Sequence, residues 1–310
     1  MENLVVYSGT ATPDLAKQVA EFLNVHLIDA EISKFADGET HLQIKETVRG
    51  ADAFLIQSTC PPVNDNLMEL LIAIDAFKRA SAKRITAVIP YYGYARQDRK
   101  DKPRVPITAK LVADLLTTAG ANRVMTIDLH AGQVQGFFNI PVDELPGSFV
   151  LLDYISKLKI ENLTVVSPDV GGIKIARNYA RRLGVPLAVV DKRRPAANLS
   201  EVMNVIGDIE GRNLLIPDDM VSTAGTLCNA AIALKAKGAL EIISAATHPV
   251  FSGSAFEKIQ SSPIKQLFTS NTIPVDKDKI IDKIKVVSVG ELIAKAIDCI
   301  HNDKSVGKIF

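Results

Sequence analysis

The 310-residue sequence contains no tryptophan, and aromatic residues make up only 5% of it. A stacking surface of the kind that binds carbohydrate is therefore not expected. Its three cysteines, Cys60, Cys228 and Cys299, are too few and too scattered for a disulfide scaffold or a cysteine metal site. They are expected to be reduced thiols of a cytoplasmic protein. Charge of one sign is not in excess: 36 Lys and Arg face 35 Asp and Glu, a formal net charge of +1. The chain thus lacks the basic footprint of a nucleic-acid-binding protein. No apolar run approaches the roughly 20 residues that span a bilayer. The opening "MENLVVYSGT" has neither the basic nor the long apolar segment of a signal peptide. Neither nucleic acid nor a membrane is an expected partner.

What is present is a rhythm. With 47% hydrophobic residues, the chain can bury a sizeable core, more naturally as two domains than one. Short β-branched runs alternate with segments of helical period. "NLVVYSG", "AFLIQS", "RITAVIPYY" and "RVMTIDLH" read as strands; "PDLAKQVAEFL", "NLMELLIAIDAFKRA" and "TAKLVADLLTTAG" read as helices. Leu15, Val19, Phe22 and Leu23 fall on one face of the first helix. A Pro-, Gly- and Asp-rich break follows at "NIPVDELPGS", and then the rhythm restarts. "LTVVSPD", "LAVVDK", "LLIPDD" and "IISAATH" are strands; "GIKIARNYARRLG" and "TLCNAAIALKAKG" are helices closed by Gly184 and Gly238. The reading is α/β: two doubly wound, mostly parallel domains, residues 1–146 and 147–290. A last helix over about 291–303 is free to pack on either.

In such sheets ligands bind beyond the carboxyl ends of the strands, so the polar residues there carry the chemistry. In "LLIPDDMVSTAGT", Leu214 to Thr226, two acids precede a small-residue loop at a helix start. The N–H groups of such a loop and the helix dipole attract an anion, while Asp218 and Asp219 can accept from sugar hydroxyls. A sugar phosphate satisfies both ends; a helix cap with solvated acids is the plainer alternative. In "SPDVGG", Asp169 either caps a helix or holds Mg²⁺. "TIDLHAGQVQGFF" places Asp128 and His130 at another strand end, where His130 is either structural or functional. "YARQDRK" and "DKPR" form a basic loop, either solvated or a polyphosphate clamp centred on Arg96. "DKRRPAAN" sets Lys192, Arg193 and Arg194 after a strand, as a basic loop or a flap that closes on negative charge.

Together "KFADGE", "YGYARQDRK", "DLHAGQVQGFFNIPVD", "SPDVGG", "DKRRP", "DDMVSTAGT" and "ATH" make the whole chain resemble the ribose-phosphate pyrophosphokinases, of type I phosphoribosyltransferase fold. The resemblance implies Mg²⁺-dependent transfer of the ATP β,γ-diphosphoryl group to the anomeric hydroxyl of ribose 5-phosphate, giving 5-phosphoribosyl 1-diphosphate (PRPP) and AMP. It implies ATP contacts from Phe35, Asp37, Gly38, Glu39, Arg96 and Gln97, the first four supplied by a neighbouring subunit. His130 and Asp169 would serve Mg²⁺, and Lys192 and Arg194 would act at the transition state. Arg194, Asp218, Asp219, Ser222, Thr223, Ala224, Gly225 and Thr226 would bind ribose 5-phosphate. The resemblance further implies a hexamer activated by inorganic phosphate, with Arg49, Lys102, Arg104 and Gln135 at the effector site. Diphosphoryl transfer needs in-line positioning and charge neutralisation more than a nucleophile, in keeping with the absence of an obvious one.

Four places depart from the family pattern, the first being the flap "RRPAAN", with alanines where polar or Pro residues are usual, though Lys192 and Arg194 remain. Pro217 precedes the acid pair and, lacking an N–H, predicts an irregular strand end. Ser222 stands where the family usually has Asp, and Pro249 where Gly is frequent. Two rivals are a PRPP-consuming phosphoribosyltransferase, which leaves "DGE" and "ARQDRK" unexplained, and a non-catalytic paralogue, which would be expected to lose Lys192, Arg194, His130 or Asp169.

Overall fold

The computed structural model describes residues 3–193 and 202–310. The backbone gathers into two units: Met1–Pro146 with Thr272–Pro274 and Ser288–Phe310, and Gly147–Asn271 with Val275–Val287. The first contains β1 (Leu4–Ser8), α1 (Pro13–Leu23), β2 (Ala30–Lys34), β3 (Thr40–Ile44), β4 (Asp52–Ile56), α2 (Val63–Arg79), β5 (Arg84–Ile89), α3 (Thr108–Ala119), β6 (Arg123–Ile127) and β7 (Val142–Leu145). The second contains α4 (Gly147–Ser156), β8 (Leu163–Ser167), α5 (Ile173–Leu183), β9 (Leu187–Arg193), β10 (Val202–Ile206), β11 (Asn213–Val221), α6 (Gly225–Ala236), β12 (Ile242–Pro249), α7 (Ala255–Ser261), β13 (Ile264–Ser270) and β14 (Ile284–Val287). The chain then ends in α8 (Gly290–His301), which belongs to the first unit.

The α/β class with mostly parallel sheets is as expected. The first sheet, β1-β4-β5-β6-β7, is parallel throughout. The second, β10-β9-β8-β11-β12-β13-β14, has one antiparallel edge pair, β9 with β10. Parallel strands covered on both faces need apolar residues at consecutive positions; β4, Asp-Ala-Phe-Leu-Ile, is buried at every one. Setting the β9–β10 arm aside, β8-β11-β12-β13-β14 repeats β1-β4-β5-β6-β7, and α5, α6 and α7 follow their strands as α1, α2 and α3 do. The rhythm of two similar halves thus has a topological counterpart.

Local signals place the helix ends. Pro13 opens α1 and left-handed Asn24 closes it. Gly184 closes α5 in the same left-handed way. One sequence expectation needs correction: Phe22 is 58% exposed. The buried face of α1 is completed instead by the small residues Ala16 and Ala20 beside Leu15, Val19 and Leu23, which rotates the core-facing stripe away from Phe22. The break at "NIPVDELPGS" also contains structure, since β7 pairs in parallel with β6 there. The β2–β3 hairpin is a further element that periodicity did not mark. No helix among the described residues is long and apolar enough to cross a membrane, and the three cysteines are free.

A partly buried charge cluster ties α8 to the first sheet. Asp52, at the start of β4, accepts from Arg84 Nε at 2.7 Å and Nη2 at 2.5 Å, and pairs with His301 Nδ1 at 2.8 Å. Arg84 Nη2 also donates to the Ile300 carbonyl at 3.0 Å. Removing Asp52 takes its carboxylate from the part-buried Arg84 guanidinium and from His301 at once. Asp52→Ala is expected to cost about 2 kcal/mol and to raise protease susceptibility near residue 301 first, as read by urea unfolding and limited proteolysis.

Candidate active site

In each unit the chain leaves its first strand in both directions across the sheet. β8 has β9 on one side and β11 on the other. β1 has β4 on one side, and on the other Val6 bridges Leu27. Crevices for ligands lie at such switch points, and the two units treat theirs differently.

The first unit fills its own. Glu69 of α2, buried, accepts from Thr10 N at 2.7 Å and Thr10 Oγ1 at 2.6 Å, and from Gln57 Nε2 at 3.0 Å. Gln57 Oε1 accepts from Ala11 N at 2.9 Å. A Cβ on Gly9 would fall 2.2 Å from Gln57 Oε1, so the space there is already occupied. The loop after β4, which corresponds to the TAGT loop after β11, reads Ser-Thr-Cys-Pro-Pro, and its two prolines supply no N–H.

The second unit presents acids and donors instead. β8 ends at Ser167, whose Oγ donates to Asp169 O at 2.6 Å, and Asp169 Oδ1 accepts from Gly172 N at 2.9 Å. Asp169 therefore braces the turn into α5. β11 runs past β8, whose ladder with it ends at Leu215–Val165. Asn213 N donates to Asn162 O on the β8 side, and Leu214 N to Glu241 O on the β12 side. By alternation Pro217 faces the β8 side, where no ladder remains to require its N–H. The irregularity expected there is absent: register with β12 is unshifted from Leu214–Ile242 to Val221–Pro249. The next N–H on that side, of Asp219, donates to Asp218 Oδ1 at 2.9 Å.

Asp218 is held against its ordinary chemistry. Burial first, then the neighbouring Asp219 and more weakly Asp169, push its carboxyl up to about 8. Such a site favours a proton, a cation or hydroxyl donors. Beyond it, Ser222 to Thr226 lead into α6, which has no side-chain cap. The helix's first N–H groups are thus the donors that every helix start leaves unpaired within the helix. Ala224 takes the left-handed conformation, φ +59°, that turns the chain into the helix. A Cβ on Gly225 would meet nothing nearer than Thr223 Oγ1 at 3.8 Å. Thr223 and Thr226 are exposed. Acids that accept from hydroxyls and an N–H-rich loop therefore stand on consecutive segments, with Asp169 within electrostatic reach of Asp218.

Most of the other sequence-predicted residues belong to the first unit. Phe35, Asp37, Gly38 and Glu39 form the exposed tip of the β2–β3 hairpin. Phe35 N donates to Glu39 O, Gly38 N to Phe35 O and Glu39 N to Asp37 Oδ1, at 2.9, 2.9 and 3.1 Å. The Phe35 ring, 55% exposed, makes an edge contact with His41. Arg96 and Gln97 are exposed after β5; Gln97 Oε1 accepts from Thr108 Oγ1 at the start of α3. His130 is exposed in the loop after β6, two residues beyond Asp128, whose φ is +37°. Arg49, Lys102 and Arg104 are exposed, and Gln135 Nε2 donates to the Glu144 carboxylate. Lys192 lies in β9, in backbone register with Met203 of β10; its side chain and the whole of Arg194 lie outside the described residues.

Sequence reasoning missed Glu144. From β7 it accepts from Leu129 N at 2.8 Å and from Gln135 Nε2, and so holds the turn that carries His130. Nothing in the local sequence distinguishes it from its neighbour Asp143, which pairs with Arg123.

The chain is similar over its length to proteins of one family. Residues 4–120 match a family described as the N-terminal domain of ribose phosphate pyrophosphokinase. Residues 193–310 match the phosphoribosyl synthetase-associated domain. A ribose-phosphate pyrophosphokinase of Wolinella succinogenes is 53% identical over 100% of both chains. One from Caldanaerobacter subterraneus subsp. tengcongensis is 56% identical over 99% of this chain and 98% of its own. A crystal structure of phosphoribosylpyrophosphate synthetase from Mycobacterium smegmatis superposes with a TM-score of 0.92 at 43% identity, covering 97% of this chain and 100% of that one.

Proposed function

The chain belongs to the ribose-phosphate pyrophosphokinase family, enzymes that use ATP and ribose 5-phosphate as substrates, and we propose the following division of labour for the reaction that yields PRPP and AMP. Asp218 and Asp219 accept from the ribose hydroxyls. The loop Ser222–Thr226 and the first turn of α6 receive the 5-phosphate. The observation that carries this reading is the junction of β11 and α6: a carboxyl pair of raised proton affinity followed directly by an uncapped helix start. Hydroxyl donors relieve the first, and a phosphate satisfies the second.

ATP is assigned to Phe35, Asp37, Gly38, Glu39, Arg96 and Gln97, the hairpin tip serving a neighbouring subunit of a hexamer. The exposure of that tip suits contact in trans. Mg²⁺ is assigned to His130 and Asp169. Mg²⁺ is usually held by one or two carboxylates together with substrate phosphates, a role the Asp169 carboxylate suits, and no three His, Cys, Asp or Glu among the described residues form a metal cage by themselves. When bound, Mg²⁺ neutralises phosphate charge. Lys192 and Arg194 are assigned to the charge that develops on the transferred group, with the β9–β10 arm as their carrier. Arg49, Lys102, Arg104 and Gln135 are assigned to inorganic phosphate as activator. The two compact units are read as two domains divided at Pro146–Gly147, and the free cysteines suit a cytoplasmic setting.

Incubation with ribose 5-phosphate, MgATP and inorganic phosphate is expected to yield AMP and PRPP in a one-to-one ratio by anion-exchange chromatography. Production of ADP, or no AMP at all, overturns the assignment.

A further inference from the structure

The phosphate loop owes its shape to a segment that comes later in the chain. Val221 O accepts from Phe251 N at 3.0 Å, Ser222 O from Ser252 N at 2.9 Å, and Thr223 O from Lys258 Nζ at 3.3 Å. Three consecutive carbonyls are thus turned toward the 251–258 segment. In a trans peptide the C=O and the following N–H point in opposite directions. The N–H groups of Ser222, Thr223 and Ala224 therefore point away from that segment, as an anion cradle requires. An extended strand would instead alternate its carbonyls from side to side.

The first two carbonyls are held by backbone N–H groups, but the third is held by a side chain. Lys258 sits on α7, which is fastened by buried Ala255 and Ile259. Its C-terminal carbonyls, Gln260 O and Ser262 O, each accept from Lys283 Nζ at 2.8 Å. The ammonium also polarises the Thr223–Ala224 peptide, and so strengthens the N–H on its far side. Its field reaches the first turn of α6, where it opposes the effect of burial on the Cys228 thiol.

We propose that Lys258 is a positioning residue for ribose 5-phosphate, fixing the Thr223–Ala224 peptide with its N–H toward the 5-phosphate. The proposal rests on the assignment of Ser222–Thr226 to that phosphate.

Lys258→Met keeps the aliphatic stem and removes the donors. It is expected to raise KM for ribose 5-phosphate about 5- to 10-fold at saturating MgATP, the loss of one charge-assisted hydrogen bond. The kcat and the KM for ATP are expected to stay within about twofold, and Lys258→Arg to recover most of the change. Gly225→Val serves as the reference variant. If Gly225→Val raises the ribose 5-phosphate KM and Lys258→Met does not, the role of Lys258 is refuted and the loop assignment stands. If neither moves it, the loop assignment falls and the proposal with it. A drop in melting temperature for Lys258→Met with both KM values unchanged marks a purely structural contact and also refutes the proposal.

Discussion

Gly225→Val is expected to lower kcat/KM for ribose 5-phosphate at least about 100-fold while leaving the melting temperature within about 2 °C of the parent. The reason is what surrounds this glycine. A Cβ on Gly93 would lie 2.4 Å from the Thr59 carbonyl, so the fold itself demands glycine there. At Gly225 a Cβ would come no nearer than 3.8 Å to any atom beyond its chain neighbours and its own helix backbone, and its φ is not positive. Nothing within the chain excludes a side chain at the first position of α6. On the proposed assignment of this loop, glycine there lets a phosphate approach the backbone. A valine would displace the phosphate from several N–H donors at once, each contact to a charged group being worth roughly 1.5–3 kcal/mol; two such contacts exceed the 2.7 kcal/mol of a 100-fold loss. The helix should not suffer, since valine is a better helix former than glycine. Differential scanning fluorimetry and initial rates test both halves. Near-parental kcat/KM would sink the assignment of this loop, and a collapse in melting temperature would show that glycine serves the fold.

Asp218→Asn is expected to produce the opposite signs in activity and stability. The carboxyl is raised above its ordinary range by burial and by Asp219, so the folded state binds a proton that the unfolded chain, with pKa near about 3.9, has released. Stability from this group is fully present below pH about 4 and is lost as pH rises toward the raised folded value, at up to roughly 1.4 kcal/mol per pH unit. Asparagine keeps the shape and the acceptor for Asp219 N but cannot ionise. The ligand-free variant is expected to melt a few degrees higher at pH 8, with the gain shrinking to nothing near pH 4. Its kcat/KM for ribose 5-phosphate is expected to fall about 100-fold, because hydroxyl donors can draw the carboxyl into its ionised, acceptor-only form, which an amide cannot adopt. Equal melting curves at pH 8, or undiminished activity, would contradict this account. If both halves hold, the substitution exchanges function for stability.

The residues that most affect these outcomes were legible to different degrees. "DDMVSTAGT" could be read as a phosphoribosyl site because its chemistry is contiguous, with acids at a strand end and small residues at a helix start. The α/β rhythm was legible because consecutive apolar residues in β4, and the period of α1, report each residue's own burial. Phe22 misled because helical period alone does not say where a stripe is centred; Ala16 and Ala20 moved it. The β2–β3 hairpin escaped because its residues are at most half-buried and barely alternate. The strand β7 escaped because turn-forming residues flank it.

By itself, then, the sequence determined the alternation of elements, the two similar halves, the polar strand ends and the family they resemble. Tertiary structure alone decided which of two equivalent switch points is filled by the chain's own side chains. Glu69 closes one through Thr10, 59 residues away, and Lys258 braces the other through Thr223, 35 residues away. It also decided that Pro217 costs no ladder bond, because β8 has already ended on the side that proline faces. The division has one physical cause. Periodicity and turn chemistry act between residues a few positions apart, whereas the direction of a carbonyl or the filling of a crevice depends on groups that only folding brings within hydrogen-bonding distance.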